Sequence, residues 1–474
     1  MKDLPKKISY QDLLFTFLSI SLFIVFLMPF THYTPLNLIH ISSGGTTQYK
    51  NDLLTANLPL FKNRYYIFYY VLCISSVAIL LNLKLLKDLI VYFFNFSKVI
   101  QVAVSLFFVF GIISSSFAIS PSIAFKGVSV TFLQFINVMF IAWYIQHKEV
   151  AIKNFYIVVM LSLIFFGGAL ILQLLLSNFS MYGDVITGNI QKTLLYMYNC
   201  LNPRFLDNYF SWFMPLLLLA WFVDFRLIYK IGSFIGLTIV WFVLINHAFR
   251  TIFVEYLVIF PLLFIFSRRY FGLTILVLVS AFICAYLADL VYHNFIMVSN
   301  VSVSTFLRST TSDRIFLWKE AFQIGLSHPL TGIGQWNYIV VTKSPAGYPH
   351  NMLLEIWSQW GIPAFICVAV VIIACVKNLL KKSKEICENP YYCIFIMMLV
   401  AGMVDGMFSA MFKTSLGLFG SVFVFGLCLS MFKYQTRVSD KTVGILPKVI
   451  VFVGVLASLF CIIILPLIFH PMWI

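Results

Sequence analysis

The chain has 474 residues, of which 61% are hydrophobic and only 10% are charged. A soluble domain carries about 25% charged residues, so this composition excludes an ordinary soluble protein. The net charge of +15 would favour nucleic-acid binding in a soluble protein, but here the basic residues lie between long apolar runs, and no nucleic-acid partner is expected. Nine cysteines are scattered without a CxxC pair or a Cys/His cluster, which excludes a zinc-binding fold and a disulfide framework.

Apolar runs of about 18 or more residues recur along the whole chain, and each of these is long enough to cross a hydrocarbon core of about 30 Å. The pattern predicts an all-α, polytopic membrane helix bundle of about twelve to thirteen transmembrane helices. The first run follows an N-terminal group of lysines and exceeds the apolar part of a signal peptide, so we expect a retained helix. The predicted spans are 11–31, 65–82, 99–118, 126–145, 154–176, 209–224, 231–247, 251–267, 271–290, 362–376, 391–411, 416–432 and 449–468.

Basic residues of short loops stay preferentially on the cytoplasmic side. With the N-terminus inside, alternate short loops place most of the lysines and arginines in the cytoplasm, and the longest loop falls outside. We therefore expect a first transmembrane part of about nine helices over residues 1–290, an extracytoplasmic catalytic loop over 291–361, and C-terminal transmembrane helices over 362–474.

The sequence of this outer loop predicts two short helices separated by a turn-rich segment. The N-cap types Ser312 and Asp313, followed by apolar residues at helical spacing, predict a first helix over 314–325. Histidine-proline and glycine pairs at 328–334 end that helix. A second helix is expected over 352–360, between an asparagine cap and a closing glycine.

His350 lies directly before the expected N-terminus of the second helix, where Asn351 is a good N-cap. The helix dipole disfavours an imidazolium ion at this place, so a neutral ring that can accept a proton from a hydroxyl group is expected. The alternative is a histidine that only caps or packs in the loop, and spacing alone does not exclude it.

Three arginines lie on the predicted outer side. Arg250 falls in the turn between two spans, and Arg308 and Arg314 fall in the large loop. Arginine binds phosphate through two parallel hydrogen bonds, which suits a diphosphate-linked lipid. The alternative, an interfacial arginine that extends towards the phosphates of bulk lipid, is the commoner case for any single residue.

Two carboxyl groups, Glu255 and Asp405, lie inside predicted spans near the outer face. Ionisable residues inside a membrane are costly and are candidates for function, with a buried structural ion pair as the alternative. The partner of Glu255 must come from another helix, because its spacing from Arg250 does not suit a pair within one helix. Acidic residues are too dispersed for a two-metal centre, so we expect neither a metal nor a cofactor.

Four ordered segments resemble the signature of the O-antigen ligase / O-antigen polymerase C-terminal superfamily. That family includes lipid A-core O-antigen ligases and bacterial protein O-oligosaccharyltransferases. The segments are Arg314-Ile-Phe-Leu-Trp318, His328-Pro-Leu-Thr-Gly332-Ile-Gly334, Pro349-His350-Asn351 and Gly361-Ile-Pro-Ala. The resemblance implies an inverting, metal-independent glycosyltransferase that uses a glycan linked to undecaprenyl diphosphate as its donor.

The resemblance also implies roles for particular residues. His350 matches the family's essential loop histidine, Arg314 matches its loop arginine, and Arg250 matches an arginine at the outer end of a preceding span. These three are the predicted catalytic residues. The residues expected to bind substrate are Asn351, Arg308, Arg204 and Asp405.

Two classes of function remain. The first is a glycosyltransferase of the bacterial inner membrane whose active site faces the periplasm, with lipid A-core as the preferred acceptor and a protein hydroxyl or a growing O-antigen as alternatives. The second is a transporter of lipid-linked glycans, which typically has paired repeats and a polar site at the midplane. No repeat is visible and the ionisable residues collect near one face, so the pattern favours the enzyme.

Overall fold

The computed structural model describes residues 8–27, 66–148, 150–179, 205–247, 251–292, 314–342, 347–432 and 445–464. This part of the chain is α-helical and contains no β-strand, so the predicted all-α class is confirmed. Several predicted features lie outside the described residues, namely the N-caps Ser312 and Asp313 and the site residues Arg204, Arg250 and Arg308.

The predicted spans all coincide with helices, with differences of a few residues at the ends. Among the residues that the structure describes, seven helices are long and apolar enough to cross a membrane, or eight if α2 and α3 are counted as one bent span. Shorter apolar helices join them, and the chain is a multi-pass membrane protein. In chain order the helices are α1 Tyr10–Leu27, α2 Tyr66–Leu81, α3 Leu83–Phe94, α4 Lys98–Ser116, α5 Pro121–His147, α6 Val150–Phe179, α7 Phe205–Leu217, α8 Leu219–Phe222, α9 Leu227–His247, α10 Thr251–Phe266, α11 Arg268–Val291, α12 Arg314–Ser327, α13 Tyr338–Val341, α14 Met352–Lys381, α15 Ser383–Glu388, α16 Pro390–Gly406, α17 Ser415–Ser430 and α18 Ile445–Leu459, which continues as a π-helical turn.

Three of the described helices were not predicted, namely the short α13 and α15 and the longer α3. α3 occupies residues that the sequence pattern assigned to a cytoplasmic loop, and it turns by 99° from α2. Asn82 caps it by accepting a hydrogen bond from Leu85 N at 3.0 Å. Leu86, Leu89 and Ile90 form its buried face. A helix with one apolar face that leaves a spanning helix at a right angle is typical of a segment lying along the membrane surface.

The centre of the bundle is built around Trp212 of α7. This side chain is fully buried, and its Nε1 donates to the carbonyl oxygen of Gly417 at 2.9 Å. A Cβ atom on Gly402 of α16 or on Gly420 of α17 would overlap the indole ring. Small residues let membrane helices approach closely, so α16 and α17 pack directly against α7 and bring their polar ends together.

Contacts between loops distinguish the two ends of the bundle. At one end, Lys148 forms an ion pair with Asp12. At the other, Ser120 N donates to Asn337 Oδ1 at 2.7 Å. The 314–351 segment therefore lies at the end opposite a basic short loop, as expected from the sequence. Which side of the membrane each end faces stays a prediction.

Candidate functional site

The segment that follows α12 is held against α14 by backbone hydrogen bonds. α14 is interrupted at Gly361 (φ 81°, ψ 173°), and Pro363 has no N–H to give to the carbonyl of Gln359. The Gln359 carbonyl oxygen instead accepts a hydrogen bond from Gly334 N at 2.9 Å. The Ser358 carbonyl oxygen accepts one from Ile333 N at 3.0 Å. The segment thus replaces hydrogen bonds that the broken helix cannot make.

Glycine is required where these backbones meet. Gly332 has a φ of 63°, and a Cβ atom there would overlap the backbone of Gln359. Gly361 has a φ of 81°, and its Cβ would lie 2.5 Å from the carbonyl oxygen of Leu330. The glycines of the 328–334 segment therefore do more than end α12, because they dock residues 314–351 onto the following helix. We call residues 314–351 the outer segment, after the side of the membrane that the sequence predicts for them.

The same docking fixes the N-terminus of α14. Asn351 Oδ1 accepts hydrogen bonds from Leu353 N at 3.1 Å and from Leu354 N at 3.0 Å, which confirms the predicted N-cap. Its Nδ2 donates to the carbonyl oxygen of Met407 at 3.3 Å. Asn351 thereby joins the outer segment to the loop between α16 and α17.

His350 comes directly before this cap, and its backbone has a φ of 54°, in the left-handed region. A non-glycine residue there is uncommon and costs roughly 1–2 kcal/mol. The half-buried imidazole lies 4.5 Å from the Tyr348 ring, between centroids. Burial, and then the charge of Glu355, raise the pKa of Tyr348 to about 12, so its phenol stays protonated at neutral pH. A histidine beside a helix N-terminus is suited to accept a proton from a hydroxyl group.

Asp405 is fully buried at the end of α16. Its Oδ2 accepts from Asn208 Nδ2 at 2.7 Å and from Ser409 Oγ at 2.8 Å, and Thr414 Oγ1 donates to Asn208 Oδ1 at 2.8 Å. The charge of Arg314 acts on this carboxyl group. The structure therefore brings two predicted site residues, one from the outer segment and one from a span, into electrostatic contact.

Two further carboxyl groups lie beside Asp405. Glu255 Oε1 accepts from Ser211 Oγ at 2.7 Å, and Asp207 Oδ2 accepts from Thr251 Oγ1 at 2.7 Å. The charges of Asp405 and Asp207 both act on Glu255. Its partner does come from another helix, as the sequence required. Within the described part of the chain that partner is a hydroxyl group, and Glu255 forms no ion pair there.

Several of these residues were missed by the sequence interpretation. The adjacent Asp207 and Asn208, near the outer end of an apolar run, were a usable signal. No local pattern indicates the ion pair between Lys413 Nζ and Glu355 Oε1, at 2.6 Å, because the two residues are far apart in sequence. Glu355 lies in the first turn of α14, where the helix dipole favours a carboxylate.

A shallow groove runs between α12 and α14 and starts at Ile315, directly after Arg314. It has a volume of about 340 Å³ and is open on one side, and its walls are mostly apolar. The lining residues are Ile315, Trp318, Lys319, Phe322, Gln323 and Leu354. Such a groove can take an acyl or polyprenyl chain whose headgroup lies near Arg314.

Residues 232–369 match the sequence profile of a family described as O-antigen ligase. The match runs from α9 into α14, and Arg314, His350 and Asn351 lie within it, whereas Asp405 lies beyond it. The resemblance seen in the sequence is thereby confirmed. No curated protein matches the chain in a sequence comparison.

Proposed function

We propose that the chain transfers an oligosaccharide or O-antigen from undecaprenyl diphosphate to an acceptor hydroxyl. The match of residues 232–369 to the O-antigen ligase family supports this proposal. The preferred acceptor is lipid A-core. The site faces the periplasm of a bacterial inner membrane in this proposal, because the basic short loops belong on the cytoplasmic side.

The proposed chemistry is a single displacement with inversion. The acceptor oxygen attacks the anomeric carbon, and the new C–O bond forms as the bond from that carbon to the diphosphate breaks. Undecaprenyl diphosphate leaves with the bonding electron pair, and His350 takes the acceptor proton. The half-buried ring is held for this task by its left-handed backbone, the Asn351 cap and the Tyr348 ring.

Arg314 is assigned to the donor diphosphate. A guanidinium group can donate two parallel hydrogen bonds to phosphate oxygens and stabilise charge that grows as the diphosphate departs. Asp405, itself fixed by Asn208 and Ser409, acts on Arg314 and orients it. The groove beyond Trp318 takes the first part of the polyprenyl chain.

The observation that supports the proposal is that Arg314, His350 and Asn351 of the matched region lie at one end of the bundle. There Asn351 donates to the Met407 carbonyl oxygen, and the charge of Arg314 acts on Asp405. The buried polar network also collects there, at the ends of α7, α10 and α16. A transporter requires its polar site near the midplane, so this arrangement favours a transferase.

A deletion strain complemented with the chain tests the function and the acceptor together. We expect the lipopolysaccharide ladder to disappear on deletion and to return with the wild-type chain but not with His350→Ala. Intact masses of envelope glycoproteins are measured in the same strains. A ladder that is unchanged while protein glycans are lost would identify a protein acceptor, and no change in either would refute glycan transfer.

Cysteine labelling tests the sidedness. A cysteine placed at Leu330, which is exposed in the outer segment, should react with an impermeant thiol reagent in intact spheroplasts. A cysteine at the exposed Lys384 should react only after lysis. The unsubstituted chain gives the baseline from the native cysteines, and the reverse pattern would invert the orientation.

A further inference from the structure

Lys126 is an ionisable residue inside the spanning helix α5, about 7.5 Å along its axis from Pro121. It is half-buried, and its Nζ lies 5.2 Å from the ring centroid of Tyr69, a buried residue of α2. Among the described residues it makes no hydrogen bond and no ion pair. An ionisable side chain inside a spanning helix is costly when it has no partner, so this placement indicates an anionic ligand.

Trp336 lies beside this lysine and is fixed from two directions. Its backbone N donates to Gln359 Oε1 at 2.6 Å, and its ring centroid lies 6.3 Å from that of Tyr69. The preceding residue, Gln335, packs on α5 so closely that a Cβ on Gly127 would lie 2.8 Å from its Cγ. With a φ of 64°, Trp336 is a second non-glycine residue in the left-handed region. Its side chain is therefore retained against a conformational cost.

A second lysine also lies near the indole of Trp336. Lys413 Nζ is 5.9 Å from the Trp336 ring centroid and forms the ion pair with Glu355 described above. We call the set Lys126, Tyr69, Trp336 and Lys413 the lysine–aromatic row. Ammonium groups bind phosphate, and the apolar face of a sugar ring packs well on an indole. Together they match a phosphorylated saccharide.

We propose that the lysine–aromatic row binds the phosphorylated sugar headgroup of the acceptor, a second lipid-anchored substrate. The proposal rests on the proposed function, which assigns Arg314 to the donor diphosphate. Tyr69 and Lys126 belong to α2 and α5, whereas α7 and α16 hold Asp405, whose charge acts on Arg314. Lys413, in the loop between α16 and α17, is the member of the row that comes from the region of Asp405. Transfer between two lipids needs one anion site for each, and a protein acceptor would leave Lys126 without a phosphate.

A lysine that extends to the phosphates of bulk lipid is the simpler alternative. In that case the ammonium group would follow the helix outwards to the membrane surface. The observed Nζ instead lies over a ring that is only 6% exposed. The geometry therefore points to a ligand that enters between α2 and α5.

Binding and kinetics with a lipid acceptor test the proposal. The probe is radiolabelled lipid A-core bound to purified protein in detergent without donor, together with a portion stripped of phosphate by phosphatase. Lys126→Met should raise the dissociation constant of the probe and the KM for the acceptor by about tenfold or more, with the donor KM unchanged. Lys126→Arg should stay within about threefold of wild type, because it keeps the charge. The stripped probe should bind the wild type as weakly as the intact probe binds Lys126→Met.

Lys153→Met is the matched control. Lys153 also lies over aromatic rings, 5.4 Å from Phe225 and 5.3 Å from Tyr229, but towards the other end of the bundle, so its loss should leave both constants within about twofold. Lys126→Gln replaces the methionine variant if thermal unfolding shows that the latter is unstable.

Three results would overturn the proposal. These are wild-type acceptor constants in Lys126→Met, an effect on the donor KM instead, and full displacement of the probe by phosphatidylglycerol micelles, which would identify a bulk-lipid site. A wild-type chain that binds the probe through Lys126 but transfers nothing would refute the proposed function and leave this site standing. If the chain transfers glycan to lipid A-core but Lys126→Met leaves the acceptor dissociation constant and KM unchanged, the proposed function stands and this site is refuted.

Discussion

Two turns of the outer segment adopt the same unusual backbone with different residues. At Gly332 the left-handed conformation is taken by a glycine, and a Cβ would overlap the backbone of Gln359. At His350 the same conformation is taken by a residue with a large side chain, at a cost of roughly 1–2 kcal/mol. The first turn is therefore explained by packing alone. The second keeps a strained side chain, which is typical of a residue retained for its chemistry.

The difference between these two turns distinguishes a residue that is explained by packing from a residue that is explained by chemistry, although both belong to one family signature. The turn at Gly332 and the turn at His350 (the histidine turn) both belong to the four segments that resemble the family. The sequence predicts a helix end for the first and a proton acceptor for the second, but the backbone conformation of neither. A left-handed backbone at a residue other than glycine marks a side chain that is retained at a cost. This criterion selects His350, and it also selects Trp336 (φ 64°). Variants that change stability and activity in opposite directions test this distinction.

The largest effect is expected for His350→Gly. Glycine relieves the left-handed strain, so the thermal unfolding midpoint should be unchanged or higher, while loss of the base should lower transfer by about 10²–10⁴-fold. Turnover of purified protein is measured at saturating donor and acceptor. His328→Gly, at an exposed position of the same segment, should stay near wild-type turnover. If His350→Gly kept full turnover, the base assignment would be wrong and a carboxylate such as Asp405 would be the next candidate.

Gly332→Ala should show the opposite pattern. The added methyl group meets the Gln359 backbone and must adopt a positive φ, so we expect a loss of about 2 kcal/mol in stability and a fall in transfer that follows from the displaced segment. Gly272→Ala in α11 is the control, because a Cβ there meets nothing within 4 Å, and it should be neutral or slightly stabilising. A Gly332→Ala variant with wild-type stability and no activity would mean that this turn also takes part in the chemistry.

The sequence predicts these features to very different degrees. The spans are readable because lipid requires long apolar runs, and their ends agree with the helices within a few residues. The Asn351 cap and the break at Gly361 are local effects and were predicted. The Asp405–Asn208 hydrogen bond joins helices far apart in the chain, and the left-handed backbone of His350 contradicts the usual preference for glycine. Neither leaves a local pattern to read.

Arg314→Lys should have a smaller effect than either turn variant of the segment. Lysine keeps the positive charge that interacts with Asp405, but it loses the planar guanidinium group that can donate two parallel hydrogen bonds. We therefore expect transfer to fall by about tenfold if the diphosphate is held by two hydrogen bonds. Arg268→Lys at the start of α11, where the guanidinium lies 5.0 Å from the Phe264 ring, should not affect transfer. The measurement is turnover at saturating acceptor with varied donor. Equal turnover in both variants would remove Arg314 from the donor site.

Removing divalent cations by chelation is expected to have no effect on transfer, which makes it the smallest of the expected effects. The carboxyl groups near the histidine turn already have partners, since Asp405 accepts from Asn208 and Glu355 pairs with Lys413. A diphosphate is a good leaving group once arginine neutralises it, so the chemistry assigned to His350 requires no divalent cation. Transfer by purified protein should therefore be the same with and without EDTA at constant ionic strength. Activity that EDTA abolishes and Mg²⁺ or Mn²⁺ restores would move the chemistry from the histidine turn to the carboxyl groups beneath it, and it would leave the strained backbone of His350 without an explanation.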